Sequence, residues 1–221
     1  MKQILLFFCL FIFLTSCEIQ YDGETKIVVT GKIVDENGIP IPEKKIDITI
    51  YGDGTYAPSD LVSYGNTDQN GSFTLIFPAP KGDYNFSIAI NNLINESSEF
   101  QSKEFFAKRN NFENYKLDLN KITLYKTKSI TYLKLILNNT SKNKQIKDIQ
   151  IEGKQTDSYI DLNPEPNNPN YYYPNTNFTV IKNQNIILKY TIIDYSNSAV
   201  TTPYSITIPV NNDAVTYTIT Y

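Results

Sequence analysis

Short runs in which apolar and polar side chains alternate recur along most of the chain. The clearest extends from Ile46 to Tyr51 and alternates three isoleucines with Asp47 and Thr49. A period of two residues places one set of side chains on each face of an extended strand, as in a sheet buried on one side. Since helical periodicity is absent between these runs, the chain is predicted to be all-β.

The first half of the chain contains enough of these runs for a β-domain. Lys26 to Asp35 is predicted to form a strand with Ile27, Val29 and Ile33 on one face. Further strands are predicted at residues 46–51, 72–77, 84–90 and 115–125, with a weaker candidate at 100–106.

Two turns in this region share the pattern Asp-x-Asn-Gly, at Asp35 to Gly38 and at Asp68 to Gly71. Aspartate and asparagine favour turns because their side chains bond nearby backbone groups, and glycine accepts a positive φ. Calcium ligation is the alternative interpretation. Calcium requires about six or more oxygen ligands and neither segment has the trailing glutamate of an EF-hand loop, so turn formation is preferred and no metal site is predicted.

Three segments of this region, Val29 to Ile41, Thr67 to Phe73 and the strand that contains Tyr84, together resemble the carboxypeptidase regulatory-like domains. Leu117 to Leu124 also resembles the way such domains end. The resemblance implies a transthyretin-like (prealbumin-like) Greek-key β-sandwich over residues 26–126. Domains of this kind usually serve as structural, spacer or interaction modules, so no catalytic residues are transferred by the resemblance.

The strand pattern restarts after Lys126. Strands are predicted at residues 130–137, 146–151, 177–181, 186–193, 204–210 and 214–221, and a stretch rich in proline and asparagine lies at 163–170. Short strands separated by turns are typical of an immunoglobulin-like sandwich. The prediction is therefore an all-β chain of two β-sandwich domains in tandem, the second immunoglobulin-like and spanning residues 127–221.

The N-terminal segment has the features of a signal peptide. Lys2 precedes an apolar run from Ile4 to Leu14, which is shorter than the ~20 residues of a membrane-spanning helix. Leu14 to Cys17 resembles the lipobox of bacterial lipoproteins, which implies that residues 1–16 are removed and that Cys17 carries the lipid. A plain secretory signal or an uncleaved anchor is the alternative. The lipid on Cys17 would hold the protein at a membrane, because each buried methylene contributes about 0.8 kcal/mol.

Residues 17–25 are predicted to be a tether. They include the acidic residues Glu18, Asp22 and Glu24, which resemble the signal that exports lipoproteins of Bacteroidota to the cell surface. A solvated tether without such a signal is an equally open interpretation. The predicted location is the cell envelope, at the outer membrane, on either its periplasmic or its surface face.

Composition excludes several function classes. The chain has no histidine, and its cysteines are Cys9, within the signal peptide, and Cys17. The usual general base, most transition-metal sites and the Ser-His and Cys-His nucleophile pairs are therefore missing. A carboxylate pair could still catalyse hydrolysis, but no spacing marks one. With a net charge of −3 there is no electrostatic case for nucleic acid. We expect no enzyme activity, no cofactor and no nucleic-acid partner.

Three consecutive tyrosines, Tyr171, Tyr172 and Tyr173, form the one candidate ligand site in the sequence. Side chains on a strand alternate faces, so at least one ring should be exposed. The rings could form a platform for a sugar or a protein, or could simply cover a loop or sheet edge.

Taken together, these features predict a membrane-anchored, non-catalytic lipoprotein that acts as a binding or accessory module at the cell envelope and captures a glycan or a protein. The alternative is a structural spacer, or a partner subunit of an envelope complex, that binds no small ligand.

Overall fold

Almost every regular element of the chain is a β-strand. The computed structural model describes residues 18–54, 56–92, 98–164, 174–196, 198–211 and 213–221. Within these ranges it contains the strands β1 to β14 and two short 3-10 turns, at Arg109–Asn111 and Thr127–Ser129. The all-β prediction is confirmed.

The first of two structural units comprises described residues up to 92, Ser102–Leu124 and Tyr159–Asn163. Its smaller sheet has the order β4-β1-β7, in which β1 is antiparallel to β4 and parallel to β7. Its larger sheet has the order β10-β6-β5-β2-β3. The strands are β1 (Tyr21–Val34), β2 (Lys45–Tyr51), β3 (Ser59–Asn66), β4 (Ser72–Pro80), β5 (Asn85–Ile90), β6 (Lys103–Lys108), β7 (Lys116–Thr123) and β10 (Tyr159–Asp161).

Alternation along the strands fills the core of this unit. Ile27, Val29 and Ile33 of β1 are fully buried, as predicted, and so are the three isoleucines of β2. Phe77 of the smaller sheet lies 6.3 Å, between ring centroids, from Phe86 of the larger sheet. The two sheets therefore share one apolar layer, which makes the unit a β-sandwich.

The second unit comprises 98–101, Tyr125–Ser158 and the described residues from Pro164 to Tyr221. Its sheets have the orders β11-β8-β14 and β13-β12-β9, and side chains of all six strands form one buried cluster. This unit is also a sandwich, as predicted. The strands are β8 (Ile130–Asn138), β9 (Lys144–Glu152), β11 (Asn177–Ile181), β12 (Gln184–Asp194), β13 (Val200–Val210) and β14 (Val215–Thr220).

The two units have the same strand order. The sheet β11-β8-β14 matches β4-β1-β7, since β8 is parallel to β14 just as β1 is parallel to β7. The sheet β13-β12-β9 matches the strands β6-β5-β2 of the larger sheet. In an immunoglobulin constant domain the first two strands pair with each other, whereas β8 and β9 lie in different sheets. The second sandwich thus repeats the topology of the first, except that β3 has no counterpart among its described strands.

Sequence patterns missed two strands and placed the start of two others four or more residues too late. β3 was not predicted because most of its side chains are exposed, so that it has little alternation. β10 is only three residues long. β1 begins at Tyr21 and not at Lys26, since Tyr21 pairs with Pro80 and its hydroxyl donates a hydrogen bond to Asp60 (2.8 Å). β13 begins at Val200, four residues before the predicted start.

Candidate binding site

The outer face of the five-stranded sheet carries several aromatic side chains that the core of the first unit does not use. Residues directly opposite each other on paired strands share a face of the sheet. One row across this face reads Tyr64, Asp47, Ala89, Glu104, Tyr159, and the next reads Leu61, Thr49, Ser87, Phe106, Asp161. Large side chains therefore stand toward both sides of the sheet, and small or carboxylate side chains lie between them.

We call this surface the aromatic trough. Its floor is formed by Thr49, Ser87 and Ala89 together with the carboxylates of Asp47 and Glu104. One of its walls is formed by Leu61 and Tyr64 of β3, and the other wall by Phe106 of β6 and Tyr159 of β10. With strands about 4.8 Å apart, three strand spacings separate β3 from β6, or about 14 Å. Tyr64 is 71% exposed and Tyr159 is 73% exposed, so both walls are open to solvent.

Hydrogen bonds hold the wall that contains Tyr159. Its ring stacks on Phe106 with centroids 6.3 Å apart and an angle of 15° between the rings. Just beyond β10, the backbone N–H of Leu162 donates to the carbonyl of Phe106 (2.9 Å). The side-chain amides of Asn111 and Asn163 bond to each other, which ties the end of β10 to the turn after β6. The wall is therefore fixed at two points.

Carboxylates line the trough, and most have a hydrogen-bond or ionic partner. Glu104 accepts a hydrogen bond from the Ser87 hydroxyl (2.5 Å). One oxygen of Asp47 lies 2.8 Å from the Lys45 ammonium, while the other is buried and has no hydrogen-bond partner among the described residues. A buried acceptor without a donor is costly, so this oxygen lowers the stability of the sheet.

Tyr51 reports the electrostatics of this face. Partial burial of the ring is the main cause that raises the pKa of the Tyr51 hydroxyl. The negative charges of Glu104, Asp161 and Asp53 raise this pKa further. The hydroxyl therefore stays protonated at neutral pH and lies within the field of carboxylates on neighbouring strands.

A polar pocket opens where the trough ends. Asn85 lies on the same face of β5 as Ser87, two residues away, and its side-chain amide donates to Asp53 (2.7 Å). The pocket has a volume of about 290 Å³, and acidic, basic, amide and phenolic groups line it: Asp53, Asp83, Tyr84, Asn85, Lys108 and Arg109. The Arg109 guanidinium lies 4.4 Å from the centroid of the Tyr115 ring, which restrains it by a cation–π contact.

The trough and the pocket are built from residues that the sequence did not single out as site residues. Cys17 and Tyr171 to Tyr173 lie outside the described residues. The trough could not be predicted from the sequence because its exposed tyrosines, Tyr64 and Tyr159, lie on β3 and β10, the two strands that lack a clear pattern. The polar positions between the isoleucines of β2 were the one local signal, since they mark the outer face.

The Asp-x-Asn-Gly segments are turns. Asp35 accepts hydrogen bonds from the backbone N–H groups of Asn37 and Ile39, and Asp68 accepts them from Asn70 and Ser72, all at 2.8 Å. The carboxylates are thus directed at their own backbone. Within the described ranges there is no group of three or more acidic, cysteine or histidine side chains that could hold a metal ion.

None of the helical elements that the structure describes has the length and apolar composition needed to span a bilayer.

Comparison with known proteins defines no family for this chain. No protein-family model matches it, and no curated protein matches it significantly. Solved structures match weakly, and the chain spans less than two thirds of several of them. A 9R-lipoxygenase from Cyanothece PCC8801 matches with 19% sequence identity and a TM-score of 0.29. The match covers 49% of this chain and 18% of the lipoxygenase.

Two other matches extend over most of the chain. The D295N mutant of the shaft pilin SpaA from Lactobacillus rhamnosus GG matches with 10% sequence identity and a TM-score of 0.32. The match covers 89% of this chain and 98% of the pilin. A Bacteroides fragilis protein assigned to cell adhesion matches with 12% sequence identity and a TM-score of 0.26. The match covers 82% of this chain and 81% of that protein. At such low scores these likenesses identify neither a family nor an activity.

Proposed function

We propose that this chain is a lipid-anchored, non-catalytic binding module of the cell envelope, and that the aromatic trough is its binding face. The observation that carries the proposal is the arrangement of the trough itself, in which Tyr64 and Tyr159 stand exposed on either side of a floor of small and carboxylate side chains. Exposed apolar patches bordered by polar groups mark interaction sites. Tyrosine suits such a site because it offers a large contact area at a low entropy cost.

The start of the fold agrees with an anchor at Cys17. β1 begins at Tyr21, and the side chain of Ile19 is already buried. Four residues span at most about 14 Å. An acylated Cys17 would therefore hold the first sandwich close to the membrane surface, with little free tether between them.

The anchor is tested by the mass of the mature protein. We expect the full chain, expressed in a Gram-negative host and purified from its membranes, to begin at Cys17 and to carry the mass of attached acyl chains. Cys17→Ala should abolish both processing and membrane attachment, because the thiol that receives the lipid is lost. A mature chain that begins at another residue, or that carries no acyl mass, would refute the lipoprotein assignment.

The binding face is tested separately by affinity capture from the native envelope. We expect the full chain to retain an envelope component, either a protein or a glycan, and expect Tyr64→Ala combined with Tyr159→Ala to lose it. Tyr132→Ala is the matched control, since Tyr132 is 63% exposed on β8 of the second unit. Capture that persists without Tyr64 and Tyr159 would mean that the trough is not the binding face, and no capture at all would favour a structural spacer.

A further inference from the structure

We propose that the ligand of the aromatic trough is a neutral oligosaccharide, bound along β5 with one end in the polar pocket beside Asn85. This inference rests on the proposed function and specifies the chemical class of its ligand. Three features of the described residues support it: the aromatic walls, the state of the carboxylates and the mixed charge of the pocket.

The walls suit the flat apolar faces of sugar rings. Phe106 and Tyr159 stack on each other and continue the wall over two strands, while Ser87 and Ala89 lie between the walls beside the Glu104 carboxylate. From Ala89 to Asn85 the floor extends over four residues of strand, or about 13 Å. A ligand that fills it must be elongated and must present both C–H faces and hydroxyl groups, as an oligosaccharide does.

The carboxylates of the trough can accept hydrogen bonds from the hydroxyl groups of a sugar. The charge of Asp47 is matched by Lys45, Glu104 accepts a bond from Ser87, and Asp161 accepts one from the backbone of Asn163 (2.8 Å). Each carboxylate keeps further acceptor sites, because an ionised group can accept about four hydrogen bonds. Sugar hydroxyls can donate to these sites without bringing a charge.

The pocket also favours a neutral ligand. Asp53 and Asp83 stand against Lys108 and Arg109, so that its ionised side chains balance. An anion bound there would be repelled by the two aspartates, and a cation would be repelled by Lys108 and Arg109. A hydroxyl-bearing group, in contrast, can donate to the carboxylates and accept from the amide of Asn85 and the cationic side chains.

The test is calorimetric titration of the full chain in detergent with maltohexaose, cellohexaose, xylohexaose and mannohexaose, together with hexalysine as the cationic alternative. At least one of the four neutral oligosaccharides should bind, and hexalysine should not. Tyr159→Ala should weaken that binding about three- to tenfold, the range expected for loss of one aromatic contact. Because Tyr159 is 73% exposed, the variant should keep its fold.

Two further variants locate the binding. Asn85→Ala, at the mouth of the pocket, should also weaken it, whereas Tyr132→Ala, outside the trough, should leave it unchanged. The inference is overturned if none of the four oligosaccharides binds, if hexalysine binds in their place, or if Tyr132→Ala weakens binding as much as Tyr159→Ala. None of these outcomes refutes the proposed function, which is tested by the envelope capture. A protein partner could still bind at the trough and be lost in the Tyr64→Ala and Tyr159→Ala double variant.

Discussion

Single residues decide how the two Asp-x-Asn-Gly turns differ. Both turns have the same hydrogen bonds, and both glycines have a positive φ, 82° at Gly38 and 72° at Gly71. Their surroundings are not the same. A Cβ on Gly38 would meet no atom within 4 Å, whereas one on Gly71 would lie 2.3 Å from the carbonyl oxygen of Ile33. The first glycine is required only for its backbone angle, and the second is required for space as well.

The two glycines therefore form a matched pair of substitutions. Gly38→Ala should lower the free energy of unfolding by about 1 kcal/mol, the cost of a left-handed residue with a Cβ. Gly71→Ala should cost more, about 3 kcal/mol or above, because backbone atoms of two strands must also separate. Urea unfolding followed by circular dichroism measures both. Equal losses would show that the close approach of Gly71 to Ile33 relaxes without cost.

At the scale of elements, the first half of β13 is exposed although alternate residues of its partner β12 are buried in the core. Eleven residue pairs join the two strands, from Gln184 and Val210 to Asp194 and Val200. The base of β13 is buried at Ile208 and Val210, but every residue from Val200 to Ser205 is exposed. Tyr190 and Tyr204 stack at the boundary between these halves, with centroids 5.1 Å apart and an angle of 9°. The outer half therefore depends on cross-strand contacts more than on burial.

Hydrogen exchange should reveal this division. Amides of residues 200–205 that bond to β12 should exchange faster than those of residues 206–210, since local opening of the outer half exposes little apolar surface. Tyr204→Ala should accelerate exchange in the outer half because it removes the stacked pair, while Tyr132→Ala should not. Uniform protection along β13, or no response to Tyr204→Ala, would show that the hairpin opens as one unit.

At the scale of the whole molecule, the two units are interleaved in the sequence. β10 lies between β9 and β11 of the second unit, yet it pairs in parallel with β6 and belongs to the first unit. The first unit otherwise ends at Leu124, close to the boundary that the sequence predicts after residue 126. A cut at that boundary would therefore remove Tyr159 from one wall of the aromatic trough.

A fragment of residues 18–126 tests this arrangement. We expect it to lose protection from hydrogen exchange in β6 (Lys103–Lys108), because Tyr159, Ile160 and Asp161 no longer pair with this strand. Protection in β1 should be retained, since β4 and β7 are both present. The full chain with Ile160→Pro should show the same local loss. Unchanged protection of β6 in both proteins would mean that β10 contributes little to the sheet.

The amino-acid sequence alone determined the all-β class, most of the strands and the side chains that face the core. Ile27, Val29 and Ile33, like the isoleucines of β2, are buried as their spacing predicts, because a period of two residues is a local property of an extended chain. The Asp-x-Asn-Gly turns could be predicted for the same reason, since their hydrogen bonds join residues at most four apart.

Only the tertiary structure decided the strand order of the second sandwich and the position of the aromatic trough. β8 and β14 pair in parallel from opposite ends of their unit, and no local pattern specifies that pairing. In the trough, Tyr159 meets Phe106 across more than fifty positions of sequence, on a strand too short to have a period. Contacts of this kind depend on how whole sheets bury their apolar faces together. The alternation of side chains along a single strand does not specify them.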